Sequence, residues 1–332
     1  VTETYGGNLT APSAVGAYAV VATVDDANYQ GTANATLTIN AAPLTATLGT
    51  KTISYGTAAP GAADWVSTLT YSGFVNGENN TVVNTTNLAV AHAAVGNVAD
   101  LVATPSGLTS GNYSISYVNG TLKVAKATAT IELGSLTQTY DGNVLAATYA
   151  TTPAGLNADL TYSSSPQNAG DYTVTATINN TNYQGEVQGT LKINKAAATV
   201  TLGSLAQTYT GGTLAATYTT NPVGLTADLT YDASPSSAGN YTVTAEINNT
   251  NYSGTATDTL VISPKALTAT LGAKEIVYNP TPATPSAVEW AASLTYTGLV
   301  TGDTDSVVNT GSLSVSYDAV VGNVGNYVAT PS

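Results

Sequence analysis

The chain has no cysteine, no methionine and no arginine. Without cysteine, a disulfide framework, a thiolate metal site and a cysteine nucleophile are all excluded. The only cations are seven lysines, set against twenty acidic residues, and the net charge at pH 7 is −13. An acidic chain without a basic stripe is a poor ligand for nucleic acid or for an anionic membrane surface. We therefore expect neither as a partner.

Long apolar runs are also missing, since none approaches the roughly 20 residues that a membrane-spanning helix needs. We expect no membrane span in this fragment. Charged residues make up only 8 % of the chain while 43 % of it is hydrophobic, so the composition is not that of a disordered protein. A weakly charged chain rich in threonine is typical of an extracellular protein.

What the chain does contain is repetition. The sequence of residues 127–195 returns almost residue for residue from 196 onward, and Tyr140 and Tyr162, for example, recur as Tyr209 and Tyr231. A fixed period of this kind indicates one small domain copied in tandem. Because a tandem array chiefly delivers length and multiplicity, the repetition favours an architectural role over catalysis.

Two types of repeat are present along the chain. In the long type, Trp65 and Tyr71 recur as Trp290 and Tyr296. Because both terminal copies break off inside a repeat, we interpret the chain as an excerpt from a longer array. We predict a partial short repeat at 1–42, the first long repeat at 43–126, the first short repeat at 127–195, the second short repeat at 196–265 and the second, partial long repeat at 266–332.

The local pattern predicts strands throughout. Residues 172–178 place Tyr172, Val174, Ala176 and Ile178 on one face and three threonines on the other. This alternation predicts an all-β tandem array of small antiparallel β-sandwich domains with immunoglobulin-like topology. A β-grasp-like fold is the alternative for the long repeat, where residues 62–69 and 285–294 favour a turn or two of helix.

The junctions between repeats are abrupt. One repeat passes into the next through Lys126-Ala127, Lys195-Ala196 or Lys265-Ala266, with no flexible Gly/Ser-rich linker. Lysine at such a position protects a sheet edge from pairing with another chain, or takes part in a Lys–Asn cross-link within a domain. We expect the units to stack end to end as a rod, each adding roughly 25–35 Å.

These residues carry a family likeness. The sequence Ala-Gly-Asp-Tyr-Thr-Val-Thr-Ala-Thr-Ile at 169–178, followed by Asn-Tyr-Gln-Gly at 182–185, resembles the MBG and YDG repeat domains of large bacterial surface adhesins. Tyr140-Asp141-Gly142 is similar to the triplet that names the second group. The resemblance implies an extracellular stalk or adhesin at the bacterial cell surface. It implies no catalytic residues.

Candidate binding residues are few. The 21 tyrosines either stack on sugars or, because they recur at equivalent positions, serve the fold as a tyrosine corner does; the second interpretation is favoured. Calcium, a hard cation that takes oxygen ligands, has candidate ligands in Asp25 with Asp26 and in Asp303 with Asp305. Sister copies replace the first pair with asparagine, which indicates that these side chains set a turn.

Catalysis lacks its usual parts. His92 is the only histidine and does not recur in the second long repeat, so no nucleophile–base–orienter set is apparent. We therefore expect a non-enzymatic spacer that extends a distal binding region of an adhesin as a stiff rod. Two alternatives stay open. The repeats themselves bind host or matrix glycans or mucin, or the chain is a subunit of an extracellular filament or biofilm matrix.

Overall fold

The computed structural model describes residues 1–281, 283–319 and 321–332. Compact packing divides them into two units. The first comprises Val1–Leu136, Ala146–Ser164 and Tyr172–Leu191, and the second comprises Thr137–Leu145, Ser165–Asp171 and Lys192–Ser332. None of the helices in the described residues has both the length and the hydropathy of a membrane-spanning segment.

The strands follow the sequence repeats. Residues 1–42 contain β1 (Thr2–Tyr5), β2 (Gly16–Thr23) and β3 (Thr32–Ile39), and the first long repeat contains β4 (Ala42–Thr47), β5 (Thr50–Ser54), α1 (Ala62–Trp65), β6 (Thr70–Ser72), β7 (Ala89–Ala91), β8 (Ala99–Ser106), β9 (Tyr113–Val118) and β10 (Gly120–Ala125). The first short repeat contains β11 (Ala127–Thr128), β12 (Thr130–Gly134), β13 (Thr137–Thr139), β14 (Thr148–Thr152), β15 (Ala158–Tyr162), β16 (Gly170–Ile178), β17 (Tyr183–Gln184) and β18 (Glu186–Asn194).

The remaining repeats reproduce this order. The second short repeat contains β19 (Ala196–Ala197), β20 (Thr199–Gly203), β21 (Ala206–Thr208), β22 (Thr217–Asn221), β23 (Ala227–Tyr231), β24 (Gly239–Ile247), β25 (Tyr252–Ser253) and β26 (Thr255–Ser263). The second long repeat contains β27 (Thr268–Leu271), α2 (Ala287–Ala291), β28 (Leu294–Thr297), β29 (Val315–Tyr317) and β30 (Ala329–Pro331).

In the second short repeat a four-stranded sheet has the order β21-β26-β24-β23. The long strands pair antiparallel, whereas β21 joins β26 in parallel. Alternate residues of β24 face inward, and Val243, Ala245 and Ile247 are buried while Thr244 and Glu246 between them lie on the other face. The predicted alternation in β16 is confirmed in the same way, because Tyr172, Val174, Ala176 and Ile178 are all buried.

The first long repeat contains a three-stranded sheet, β6-β4-β9, and a four-stranded sheet, β5-β10-β8-β7. Its core collects Trp65, which is fully buried, with Leu44 and Leu122. The predicted helical turn is confirmed, since α1 carries Trp65 inward and continues as a 3₁₀ turn. The chain is thus an all-β tandem array, as predicted, with parallel pairs where opening strands meet closing strands.

Candidate functional site: the junctions between repeats

The recurring tyrosines bind backbone groups within their own repeats. The Tyr162 hydroxyl accepts a hydrogen bond from the Ala147 amide at 2.9 Å, and Tyr231 accepts one from Ala216 at 2.8 Å. Three further hydroxyls donate to the carbonyl oxygen four residues earlier, from Tyr18 to Ala14, from Tyr241 to Ser237 and from Tyr327 to Asn323. These contacts confirm that these tyrosines serve the fold, as in a tyrosine corner.

Two tyrosine pairs lie where one repeat meets the next. Tyr55 of the first long repeat packs edge-to-face against Tyr183 of the first short repeat, with ring centroids 5.4 Å apart. Tyr140 of the first short repeat meets Tyr252 of the second in the same way, also at 5.4 Å. Edge-to-face packing is a preferred geometry of aromatic pairs and adds to the area they bury. The two junctions therefore share one aromatic contact.

An asparagine beside each of these tyrosines binds the preceding repeat. The Oδ1 atom of Asn182 accepts the Val98 amide at 3.0 Å, and its Nδ2 donates to Asn97 at 2.9 Å. Asn251 repeats both bonds, to the Ala169 amide at 2.8 Å and to Asn168 at 3.0 Å.

Asn112 of the first long repeat holds the same position before Tyr113. Its Oδ1 accepts the Val15 amide of the preceding partial repeat at 3.2 Å. Asn112, Asn182 and Asn251 therefore each accept a main-chain N–H from the preceding repeat.

A lysine completes each junction between the complete repeats. Lys126 donates from Nζ to the main-chain oxygen of Asn180 at 2.8 Å, and Lys195 donates to that of Asn249 at 2.7 Å. The acceptor is a backbone carbonyl and not the asparagine side chain that a cross-link would consume. These two lysines therefore fix the loop that carries the junction asparagine and tyrosine.

The loop itself is shaped by asparagine and glycine. Asn180 Oδ1 accepts the Asn182 amide at 2.8 Å, which is an Asx turn. A side chain on Gly185 would place its Cβ 2.2 Å from the Ala129 carbonyl oxygen, and one on Gly254 would come within 2.0 Å of Ala198. The Asn-Tyr-X-Gly sequence is therefore set by the close passage of this loop over the opening strand.

The weak calcium candidates lie in two separate places. Asp26 Oδ1 accepts a hydrogen bond from the Asn28 amide at 2.7 Å, which forms the turn that was predicted for this loop. Asp303 accepts the Tyr209 hydroxyl at 3.1 Å, and this bond raises the pKa of Tyr209. Asp305 begins a 3₁₀ turn. Within the described residues no three histidine, aspartate or glutamate side chains are grouped as a metal site would need. The calcium assignment stays a prediction.

His92 is half-buried, and its Nδ1 lies 2.7 Å from the carbonyl oxygen of Ala93. The hydrogen-bond partner of His92 is therefore the backbone of the next residue.

The residues that sequence analysis missed are the junction asparagines. The residues concerned are Asn112, Asn182 and Asn251, to which the sequence pattern assigned no contact. Their signal is that each stands directly before a recurring tyrosine. In the structure this position places the side-chain amide against the preceding repeat.

Comparison with known families gives matches to two MBG domain models. The MBG domain model matches residues 1–43, 129–197 and 198–266, and the MBG domain (YGX type) model matches residues 44–123. A comparison with curated proteins finds no match.

The solved structures that the chain matches include two immunoglobulin-domain arrays. Sidekick-1 immunoglobulin domains 1-5 are 12 % identical, with 77 % of this chain and 68 % of that chain covered and a TM-score of 0.25. Sidekick-1 immunoglobulin domains 1-4, crystal form 1, are also 12 % identical, with 79 % and 89 % covered and a TM-score of 0.24.

Proposed function

Since the chain belongs to the MBG domain family, we propose that it is a non-enzymatic spacer segment of a bacterial cell-surface adhesin. It lies outside the cell and extends a distal binding region as a stiff rod. Its partners in this role are the neighbouring repeats of the same array.

The repetition of one junction carries this proposal. Each complete junction combines three hydrogen bonds with an aromatic pair. A single hydrogen bond contributes about 0.5–1.5 kcal/mol net, and an aromatic pair contributes a similar amount. Bending a junction would break several of these contacts together, whereas a glycine–serine linker would bend freely. A chain selected for reach benefits from such junctions, and an enzyme gains nothing from them.

The stiffness of one junction can be measured directly. Because the chain has no cysteine, nitroxide labels can be placed on Thr190→Cys and Thr259→Cys, two exposed and equivalent positions of the short repeats. We expect double electron–electron resonance to give one narrow distribution of the distance between the two labels. Replacing Asn251 and Lys195 together with alanine should widen it at least about twofold, because the three hydrogen bonds of the junction are lost while the Tyr140–Tyr252 pair remains.

The matched control is Asn34→Ala, which removes an exposed asparagine from β3 far from this junction in the sequence. It should leave the distribution unchanged. The proposal of a stiff spacer would be wrong if the distance distribution is broad in the unsubstituted chain. It would also be wrong if the double substitution does not change the distribution.

Glycan binding is a second candidate, favoured by two tyrosines. Tyr29 is 74 % exposed and Tyr278 is 62 % exposed, whereas Tyr172 of the first short repeat is buried. Exposed aromatic rings are typical platforms for apolar sugar faces. Saturable binding on a glycan array that is lost in Tyr29→Ala or Tyr278→Ala would support this role. The absence of binding to any glycan on the array would contradict it.

A further inference from the structure

The opening and closing strands of the first long repeat form one continuous parallel ladder. Six residues of β4 pair with β9 and five residues of β5 pair with β10, in the same register. Between the two pairings, the Leu48 amide donates to the Val118 carbonyl oxygen at 3.0 Å. The Thr121 amide donates to the Gly49 carbonyl oxygen at 3.2 Å. The ladder therefore runs from the start of β4 to the end of β5 as it crosses from one sheet to the other.

The short repeats pair the corresponding strands over a shorter length. In the second short repeat, two residues of β19 pair with β25 and three residues of β21 pair with β26. Between them, β20 pairs with β22 instead. The first short repeat has the same two pairings, of β11 with β17 and of β13 with β18. Each short repeat therefore joins its opening and closing strands through two separate, short ladders.

Tension along the chain acts on these ladders in shear. It enters a repeat at the start of the opening strand and leaves at the end of the closing strand. Because the two strands are parallel and their hydrogen bonds are evenly spaced, the opposed pulls slide one strand along the other and load all the bonds of a ladder together. Peeling the strands apart from one end would break the bonds one at a time. The force that a repeat withstands therefore increases with the length of its ladder.

A tyrosine ends the ladder where the following repeat makes contact. The Tyr55 amide donates to the Ala125 carbonyl oxygen at 2.8 Å and closes the long ladder, while its ring packs on Tyr183. The Tyr140 amide closes the second ladder of the first short repeat in the same way, and its ring packs on Tyr252. Tension that crosses these junctions therefore reaches the ladders directly.

We propose that the short repeats unfold first under tension and lengthen the chain, while the first long repeat stays folded and resists the highest force. The use of this order rests on the proposed spacer function, because a spacer held at both ends is under tension. The order itself follows from the strand pairing alone. An array that is stiff but unfolds in another order would overturn this inference and leave the spacer function intact.

The test is single-molecule force spectroscopy on the full chain. Since the chain has no cysteine, handles can be attached at Ala41→Cys and Ala266→Cys, two exposed positions. Tension then passes through one long and two short repeats. At full extension the long repeat spans roughly 300 Å and each short repeat roughly 250 Å, so their steps are distinguishable. We expect the two shorter steps first and the longer step last, at the highest force.

Proline substitutions in β5 test the ladder itself. β5 lies at the edge of its sheet, and alternate amides, including that of Tyr55, face β10. The Lys51 amide therefore faces β10, whereas the Thr52 amide faces away. Lys51→Pro removes a ladder donor and should make the long repeat unfold at least about tenfold faster at a given force. The matched control Thr52→Pro removes no ladder bond and should keep this rate within about twofold.

A second pulling direction tests the same ladder with its hydrogen bonds unaltered. Handles at Thr50→Cys and Asn119→Cys, both exposed, pull the neighbouring starts of β5 and β10 apart, so that the strands peel. We expect the long repeat to unfold at a lower force in this direction. This comparison needs no proline variant to fold.

Three results would overturn the proposal. The first is that a short repeat unfolds last in most molecules. The second is that the two proline substitutions change the unfolding rate of the long repeat equally. The third is that the long repeat withstands the same force in both pulling directions.

Discussion

At the scale of single residues, Asp232 shows how one copy of a repeat acquires a pH dependence that its sister lacks. Its Oδ1 accepts the Thr242 amide at 3.1 Å, and in the first short repeat Ser163 takes the Thr173 amide with a hydroxyl instead. The bond from the Thr242 amide holds the pKa of Asp232 below its usual value. The ionised carboxylate is therefore favoured by folding.

This difference gives a prediction for the Thr242 amide. A depressed folded pKa means that the stabilisation is present above the unfolded pKa and is lost as pH falls through the folded one. Between about pH 5 and pH 3 we expect the protection of this amide from hydrogen exchange to fall, after correction for intrinsic rates. In Asp232→Ser the protection should stay constant over that range.

The control for this experiment is Asp171→Ser, which removes an exposed carboxylate from β16. It should keep the pH dependence of Thr242. If the serine variant loses protection on acidification as the original does, the assignment to Asp232 is wrong.

Residue roles were predictable where copies agree and the partner is local. The tyrosines recur and bond to backbone within their own repeat, so comparison of copies identified them. The junction asparagines also recur, but their partners lie 82 to 97 residues away in the sequence. No local pattern specifies a contact of that separation, and a turn accounts for the same residues equally well.

At the scale of elements, the Asn-Tyr-X-Gly loop is tied to the opening strand by the missing side chain of Gly254. We expect Gly254→Ala to destabilise the second short repeat by about 1–3 kcal/mol, the usual cost of overpacking a site with no room to relax. The colliding atom is the backbone oxygen of Ala198, which cannot rotate away. Faster hydrogen exchange in β25 and β26 would report the loss.

The chain contains its own control for this substitution. Gly31 ends the same motif in the partial short repeat, where a new Cβ would meet only a Val24 methyl group at 3.9 Å. Gly31→Ala should therefore leave exchange in β2 and β3 unchanged. Equal effects at both glycines would mean that backbone flexibility, and not the close passage, makes glycine necessary.

Strands and helical turns were predictable because period and spacing are local properties. The alternation in residues 172–178 and the helical pattern in residues 62–69 predicted β16 and α1 correctly. The parallel pairing of β4 with β9 and of β13 with β18 was not predicted. This pairing depends on which strand lies beside the opening strand in the folded repeat. The alternation of residues along one strand does not specify its neighbour.

At the scale of the whole molecule, charge controls association. The chain carries a net charge of −13 at pH 7 and has an isoelectric point near 4.1. Mutual repulsion keeps such molecules apart at neutral pH and vanishes as the carboxylates protonate. We expect static light scattering to show monomers at pH 7 and reversible self-association near pH 4. Self-association at pH 7 that is insensitive to acid would contradict this account.

The junctions also bear on how such a chain changes over generations. The step from long to short repeat and the step from short to short repeat use the same asparagine, lysine and tyrosine contacts. A recombination event that deletes or duplicates one short repeat therefore joins surfaces that already match. Copy number, and with it the reach of the protein, can vary without any compensating substitution at the new boundary.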